Sequence, residues 1–242
     1  MLSRTGHLIR ILALVFILLL PATAVVDLSE KEQSSSKQLF ANTFDLKYAI
    51  FNFGFTTRVV DSIGNVGPYT SIDLDSDDDP HISYYDETNG DLKYARWTGF
   101  SWLMEIVDSG GDVGMYTSLE LDANDRPHIS YYDKSNGDLK YARHDGNQFQ
   151  IETVDNLGNT GQYTSLTLNS SNTPFISYYE ESGGSLRMAK LNGTVWETED
   201  VDDLDDVGLY TAIALDSEDY PHITYYDVTN GNLKYVQWDG SN

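Results

Sequence analysis

His81, His128 and His222 each stand inside Pro-His-Ile, at separations that are multiples of 47 residues. Imidazoles in register could ligate a metal ion. Phe175 fills the same slot in the one remaining copy, and a hydrocarbon ring there suits a packing position and not an obligatory ligand. Carboxylates offer a second chemistry. Polar runs recur with the same spacing at 75–79, 122–125, 169–172 and 216–219. Asp75, Asp77, Asp79, Asp122 and Asp125 are the calcium candidates among them, because that ion takes about six to eight oxygens. The third run, Asn169-Ser170-Ser171-Asn172, has no carboxylate, and none of the four follows Asp-x-Asp-x-Asp-Gly. Turns in which the side chain accepts from the backbone two residues on explain the runs more simply. The expectation is no cofactor, with calcium held open at those five residues.

Catalysis in a repeated chain requires asymmetry, because one acid or nucleophile must differ from its equivalents in the other copies. Few residues do. Arg96 and Arg143 share a register with Lys190 and Gln237, while Arg58, Arg126 and Arg187 fall in unrelated slots. Asp86, Asp133, Glu180 and Asp227 recur and read as caps at strand ends. Carboxylates suited to glycoside hydrolysis are plentiful, but no asymmetric pair stands out. There is no Gly-rich phosphate loop, nucleophile elbow or zinc-protease motif. With no cysteine, thiolate metal sites, disulfides and thiol nucleophiles are excluded together. No catalytic residue is assigned, and no ligand-binding residue is singled out.

The elements behind these residues come from the repeat, whose period of 47 residues points to a solenoid or a propeller. After a partial unit at 45–59, the copies run 60–106, 107–153, 154–200 and 201–242. Each reads as four short strands. Thr70-Ser71-Ile72-Asp73-Leu74-Asp75 alternates apolar with polar residues. His81-Ile82-Ser83-Tyr84-Tyr85 is β-branched and aromatic. Asn89-Gly90 reverses the chain into Leu92-Lys93-Tyr94-Ala95-Arg96, and Thr98-Gly99 turns it into a fourth strand at 102–107. Gly67, Gly114, Gly161 and Gly208 occupy a fixed place in the segment linking one unit to the next.

Paired tyrosines follow the second-strand proline every time, at Tyr84-Tyr85, Tyr131-Tyr132, Tyr178-Tyr179 and Tyr225-Tyr226. Successive strand residues face opposite ways, so each pair puts a ring on both faces of its sheet. That suits packing between stacked sheets; a stacking platform for sugars is the alternative.

Lys+Arg 15 against Asp+Glu 38 gives a net charge of −23, which repels phosphate backbones and argues against nucleic acid as a partner. At the N-terminus, Arg4 and Arg10 precede an apolar run at 11–20 and the small residues of Pro21-Ala22-Thr23-Ala24. Residues 1–25 have the form of a secretory signal peptide, or of an N-terminal anchor if uncleaved. Either form exports the repeats, so the expected location is secreted or cell surface, with membrane contact only through that segment. Residues 26–44, polar and without periodicity, read as a flexible spacer.

Tyr116-Thr117-Ser118-Leu119, residues 127–133 (Pro-His-Ile-Ser-Tyr-Tyr-Asp) and 136–142 (Asn-Gly-Asp-Leu-Lys-Tyr-Ala) resemble the tandem repeats of secreted prokaryotic β-propellers, near the sialidase-like and fucose-lectin-like ones. The resemblance covers about residues 45–242 and implies an all-β fold of four-stranded antiparallel blades, about four to five in number, the ring complete or not. Residues 56–60 could supply the fourth strand of the last unit. The sialidase Ser-x-Asp-x-Gly-x-x-Trp box is absent, with Gly99 and Trp102 keeping only its Gly-Trp spacing, and the sialidase arginine triad cannot be placed. The resemblance thus implies a non-catalytic propeller for recognition or surface structure, with an extracellular glycan or protein as ligand. A sialidase-like glycoside hydrolase is the alternative.

Overall fold

The computed structural model describes residues 46–51 and 54–240. The signal peptide or anchor expected at 1–25 and the spacer expected at 26–44 lie outside the described residues. Among the described residues every regular element is a strand. A hairpin of β1 (Leu46–Phe51) and β2 (Phe55–Asp61) comes first. The first blade is β3 (Ser71–Leu74), β4 (Pro80–Asp86), β5 (Asp91–Trp97) and β6 (Trp102–Asp108). The second blade is β7 (Val113–Leu121), β8 (Pro127–Asp133), β9 (Asp138–His144) and β10 (Phe149–Asp155). The third is β11 (Thr160–Leu168), β12 (Pro174–Glu180), β13 (Ser185–Asn192) and β14 (Val195–Asp202). A three-stranded fourth blade holds β15 (Val207–Leu215), β16 (Pro221–Asp227) and β17 (Asn232–Gln237). Within each blade the strands pair antiparallel in chain order, the up-and-down sheet of a propeller.

Local chemistry sets this pattern. Gly90, Gly137, Gly184 and Gly231 close the second turn of their blades at φ of 69–75°, where a side chain is disfavoured. Asp78, Asp125, Asn172 and Asp219 take positive φ in the first turn, a conformation Asp and Asn tolerate better than most residues. The second strands β4, β8 and β12 are buried at every residue, because a neighbouring blade or, at β4, the hairpin covers each face and the alternation of a one-sided sheet is lost.

At β16 the alternation returns. Leu233 is 82 % exposed, while its equivalents Leu92, Leu139 and Leu186 are fully buried, so none of the described residues stacks on the far face of the fourth blade. The first blade is uncovered only along its inner strand, where Ile72 is 54 % exposed against 6 % for Leu119. Its outer half is roofed by the hairpin, whose Val60 clusters with Val66, Ile82, Tyr84 and Ala95. The blades therefore do not close into a ring. Residues 56–60 do not complete the last unit: β2 pairs with β1, and among the described residues β17 pairs only with β16.

Blades are stitched along their inner strands. Thr117 donates to Ser83 of the preceding blade at 2.8 Å, and the Leu119 N–H donates to Ser71 at 3.0 Å. Thr164 to Ser130, Thr211 to Ser177 and the Leu166 N–H to Ser118 repeat these bonds at the next junctions. Gly114, Gly161 and Gly208 lie inside β7, β11 and β15 and not in a free linker. A Cβ on Gly114 would come within 2.8 Å of Leu92 Cα, at φ of 106°, so this glycine is what lets one blade's backbone lie against the next.

Candidate functional site

Two rims divide the work of the molecule. On the rim carrying the blade-to-blade links, the last residue of each outer strand, Asp61, Asp108, Asp155 or Asp202, accepts a hydrogen bond from the first tyrosine of the following blade's pair. The distances are 2.8, 2.7, 2.7 and 2.6 Å, from Tyr84, Tyr131, Tyr178 and Tyr225. The same carboxylates also receive Lys93, Lys140, Arg187 and Lys234. Burial alone would raise the pKa of Asp61, Asp108 and Asp202, but the lysine, tyrosine and backbone bonds outweigh it and hold these carboxyls below their ordinary value. The second tyrosine reaches the opposite way: Tyr85 donates to Asp112, Tyr132 to Asn159 and Tyr179 to Asp206, at 2.5, 2.6 and 2.7 Å. These seven tyrosines are inter-blade staples with occupied hydroxyls, while Tyr226, on the uncovered fourth blade, is exposed. Asp86 and Asp133 cap the following turn through the N–H groups of Asn89 and Asn136.

Along the inner strands runs a column of aromatic rings. Tyr69, Tyr116, Tyr163 and Tyr210 all adopt φ near 55°, and consecutive ring centroids are 4.6, 4.5 and 4.6 Å apart. A register shift in the ladder at Tyr116 and Tyr163 is the β-bulge that turns these rings out of the sheet.

On the opposite rim stand the sequence candidates for metal binding. His81 lies between Tyr94, at Nδ1, and Asp75, 3.3 Å from Nε2. His128 meets the Tyr141 hydroxyl through Nδ1 at 2.5 Å and faces Asp122 at 3.8 Å, and His222 repeats the arrangement with Tyr235 and Asp216. Burial pushes the His128 imidazole down to about 4 and lowers His81 as well, so both rings are neutral at pH 7. In the third blade all three members change together, to Asn169, Phe175 and Met188. The relay pins the first turn to the sheet.

The calcium candidates lie in the first turns on this rim, Asp75, Asp77 and Asp79 in one and Asp122 and Asp125 in the next, and three of them are engaged with donors. Asp75 accepts from the N–H groups of Asp77 and Asp79, and Asp122 from those of Asn124 and Arg126. Asp125 accepts from Ser76 of the preceding blade through both oxygens.

Between blades, on this same rim, the surface opens into pockets. At the first junction a cavity of about 340 Å³ is lined by Tyr94, Arg96 and Glu105 of one blade and by Asn124, Arg126 and His144 of the next. Arg126, His128, Arg143 and His144 line a smaller one of about 180 Å³, reaching to Asn172 of the third blade. The junction of the third and fourth blades holds one of about 470 Å³, lined by Phe175, Met188, Lys190 and Glu199 and walled by Tyr220 and Trp238.

The cavities at the first and third junctions share a plan. A cation on the third strand (Arg96 or Lys190) and a glutamate on the fourth (Glu105 or Glu199) line each, and the next blade adds a turn and a ring; at the second junction Arg143 has the cation's register. Glu105 and Glu199 pair across the sheet with Tyr94 and Met188. Glu152 accepts from the Trp196 indole at 2.9 Å, which draws it away from its pocket. A cation donates, a carboxylate accepts and a ring offers an apolar face, the combination that holds a hydroxyl-rich ring. The sequence showed the cation register, but the glutamate register and the part played by Arg126 went unread. The glutamates were legible from their 47-residue spacing; Arg126 was not, because it reaches the pocket only through packing between units.

No family model matches this sequence, and no curated protein matches it either. Among solved structures the chain is similar to the SapL1 lectin in complex with alpha methyl fucoside, at a TM-score of 0.56 and 12 % identity, covering 73 % of this chain and 60 % of the lectin. It is also similar to the Aleuria aurantia lectin in complex with Fucalpha1-6GlcNAc, at a TM-score of 0.52 and 16 % identity over 83 % of this chain and 70 % of that one. A Hadza microbial sialidase gives a TM-score of 0.55 at 10 % identity, covering 77 % of this chain and 48 % of the sialidase. This chain therefore spans 60 % of SapL1. At such identities the likeness establishes the propeller fold.

Proposed function

We propose that this chain is an exported, non-catalytic β-propeller that binds glycans in the rim pockets between adjacent blades. The observation that carries the reading is the recurrence, at the first and third junctions, of a cation and a glutamate on one blade facing a polar turn and a ring from the next. Similar, shallow sites of this kind bind weakly one by one and gain strength when several engage one surface. The fucoside complexes of two propellers with this fold support a saccharide as the ligand class. Export rests on residues 1–25, and N-terminal sequencing of the protein from the culture medium tests it: a first residue beyond Ala24 is the expected result.

Glycan-array binding combined with a hydrolysis assay tests the rest. Binding at several sites without turnover is expected. Turnover at a single saturable site would replace the reading with that of a sialidase-like glycoside hydrolase. Absence of binding to every glycan would leave the pockets without the assigned role.

A further inference from the structure

The cations of this acidic chain are distributed unevenly. Among the described residues, Lys93, Lys134, Lys140, Arg187 and Lys234 are ion-paired, and Arg58 and Lys190 lie over aromatic rings. Arg96, Arg126 and Arg143 have neither a carboxylate within ion-pair distance nor a ring, and all three line the two adjoining pockets at the first and second junctions. Arg126 and His144 belong to both pockets, so the two adjoin. In a chain of net charge −23, three exposed guanidiniums without partners, gathered in one groove, leave a set of forked donors pointing at whatever enters.

The carboxylates around them are mostly engaged. Asp122 accepts from the N–H groups of Asn124 and Arg126, Asp125 from Ser76, and Asp145 from the N–H groups of Asn147 and Gln148 and the Gln150 amide. Glu105 alone among the lining carboxylates makes no hydrogen bond within the described residues. We infer that the groove bearing Arg96, Arg126 and Arg143 takes an anionic saccharide, its carboxylate or sulfate held by the guanidiniums and a ring hydroxyl donating to Glu105. Arginine's planar fork matches such oxyanions two bonds at a time. The third junction differs: Lys190 lies over Phe175, and the floor is Phe175 and Met188. That pocket suits a neutral sugar. The inference rests on the glycan-binding reading and assigns a ligand class to one part of it.

Calorimetric titration of the full chain with three oligosaccharides of equal length, one uronate, one sulfated and one neutral, tests the inference, with inorganic sulfate as a fourth probe. The charged sugars are expected to bind more tightly than inorganic sulfate and to weaken as salt is raised. Arg126→Gln should weaken them about tenfold, the loss of one charge-assisted contact, and leave neutral-sugar binding at the third-junction pocket, which Arg126 does not line, unchanged; thermal melts establish that the variant is folded. Which charged sugar binds tells carboxylate from sulfate. Neutral binding with no preference for charge, or charged binding indifferent to Arg126→Gln, would overturn the anionic groove and leave glycan binding standing. Inorganic sulfate binding as tightly as the sugars would reduce the groove to a simple anion site and overturn the inference. Failure of all three sugars would remove both readings.

Discussion

Tyr131 and Asp108 belong to different blades, and the hydroxyl of the first donates to the carboxylate of the second at 2.7 Å in a buried site that Lys140 also enters. Four copies of this contact tie each blade to the one before it. An array whose units touch only their neighbours takes its stability from such junctions, so a single staple holds more than its own residue. Tyr131→Ala should destabilise by about 3 kcal/mol, as large-to-small core changes do, and Tyr131→Phe by roughly 1–3 kcal/mol, because Asp108 loses a buried donor. Urea melts measure both; a loss under about 0.5 kcal/mol for the alanine variant would contradict the packing described.

Acid should unfold the protein in two stages. Burial holds the His128 imidazole at about 4, whereas the unfolded ring titrates near its ordinary value of about 6.5. Between those values the unfolded chain carries the extra proton, so stability falls as pH drops from about 6.5 to about 4, by at most roughly 3 kcal/mol from this ring. Asp61, Asp108 and Asp202, held below their ordinary value by lysine and tyrosine bonds, contribute fully above about pH 4. That contribution disappears as pH falls further. His128→Phe, which copies the third blade's Phe175, should flatten the first stage and spare the second. Urea midpoints taken across the pH range report the slopes, and unchanged slopes would defeat the assignment.

Gly114→Ala should cost about 2–4 kcal/mol. It combines a positive φ, worth roughly 1–2 kcal/mol for an L-residue, with a collision against the Leu92 backbone. Gly99→Ala shares the sign of φ but has nothing within 4 Å of its new methyl, so only the conformational part should remain. Equal losses in thermal melts would show that close approach of the blades is not the reason for glycine.

Leu139 and Leu233 hold one repeat position in two environments. Leu139→Lys buries an ammonium without a partner and should unfold the junction. Leu233→Lys should change stability by less than about 0.5 kcal/mol and raise the concentration at which the protein stays soluble. Circular dichroism and light scattering read the two effects. A large loss at Leu233 would mean that this face is covered in solution.

Trp238 walls the pocket at the last junction. Trp238→Ala should weaken neutral-sugar binding there by about 3–10-fold, the range of a lost aromatic contact, without altering the groove of Arg96 and Arg143. Titration with a neutral oligosaccharide measures it, and unchanged affinity would move the site elsewhere.

Much of the fold was legible because it is local and repeated four times. Alternating residues at 70–75, the Asn-Gly reversals and the prolines opening the second strands each specify a strand or a turn within a few residues, and the 47-residue register excludes other arrangements of them. The tyrosine pairs announced sheets covered on both faces, since neighbours along a strand point in opposite directions. The histidine slot announced packing, because one copy replaces it with phenylalanine.

What only the tertiary structure decided lies between units, where residues meet that no fixed spacing relates. Arg126 belongs to a turn of the second blade and Arg96 to a strand of the first, and stacking of the two sheets brings them to one cavity. Gly114 reads as a linker until Leu92 of the neighbouring blade is found against it. Asp75 and Asp122 face donors within their own turns and Asp125 faces Ser76 across a junction. Sequence patterns record what a chain does over a few residues, through backbone sterics and alternation. A cleft between blades depends on how two such sheets twist and settle against each other, and that is fixed by packing over the whole interface.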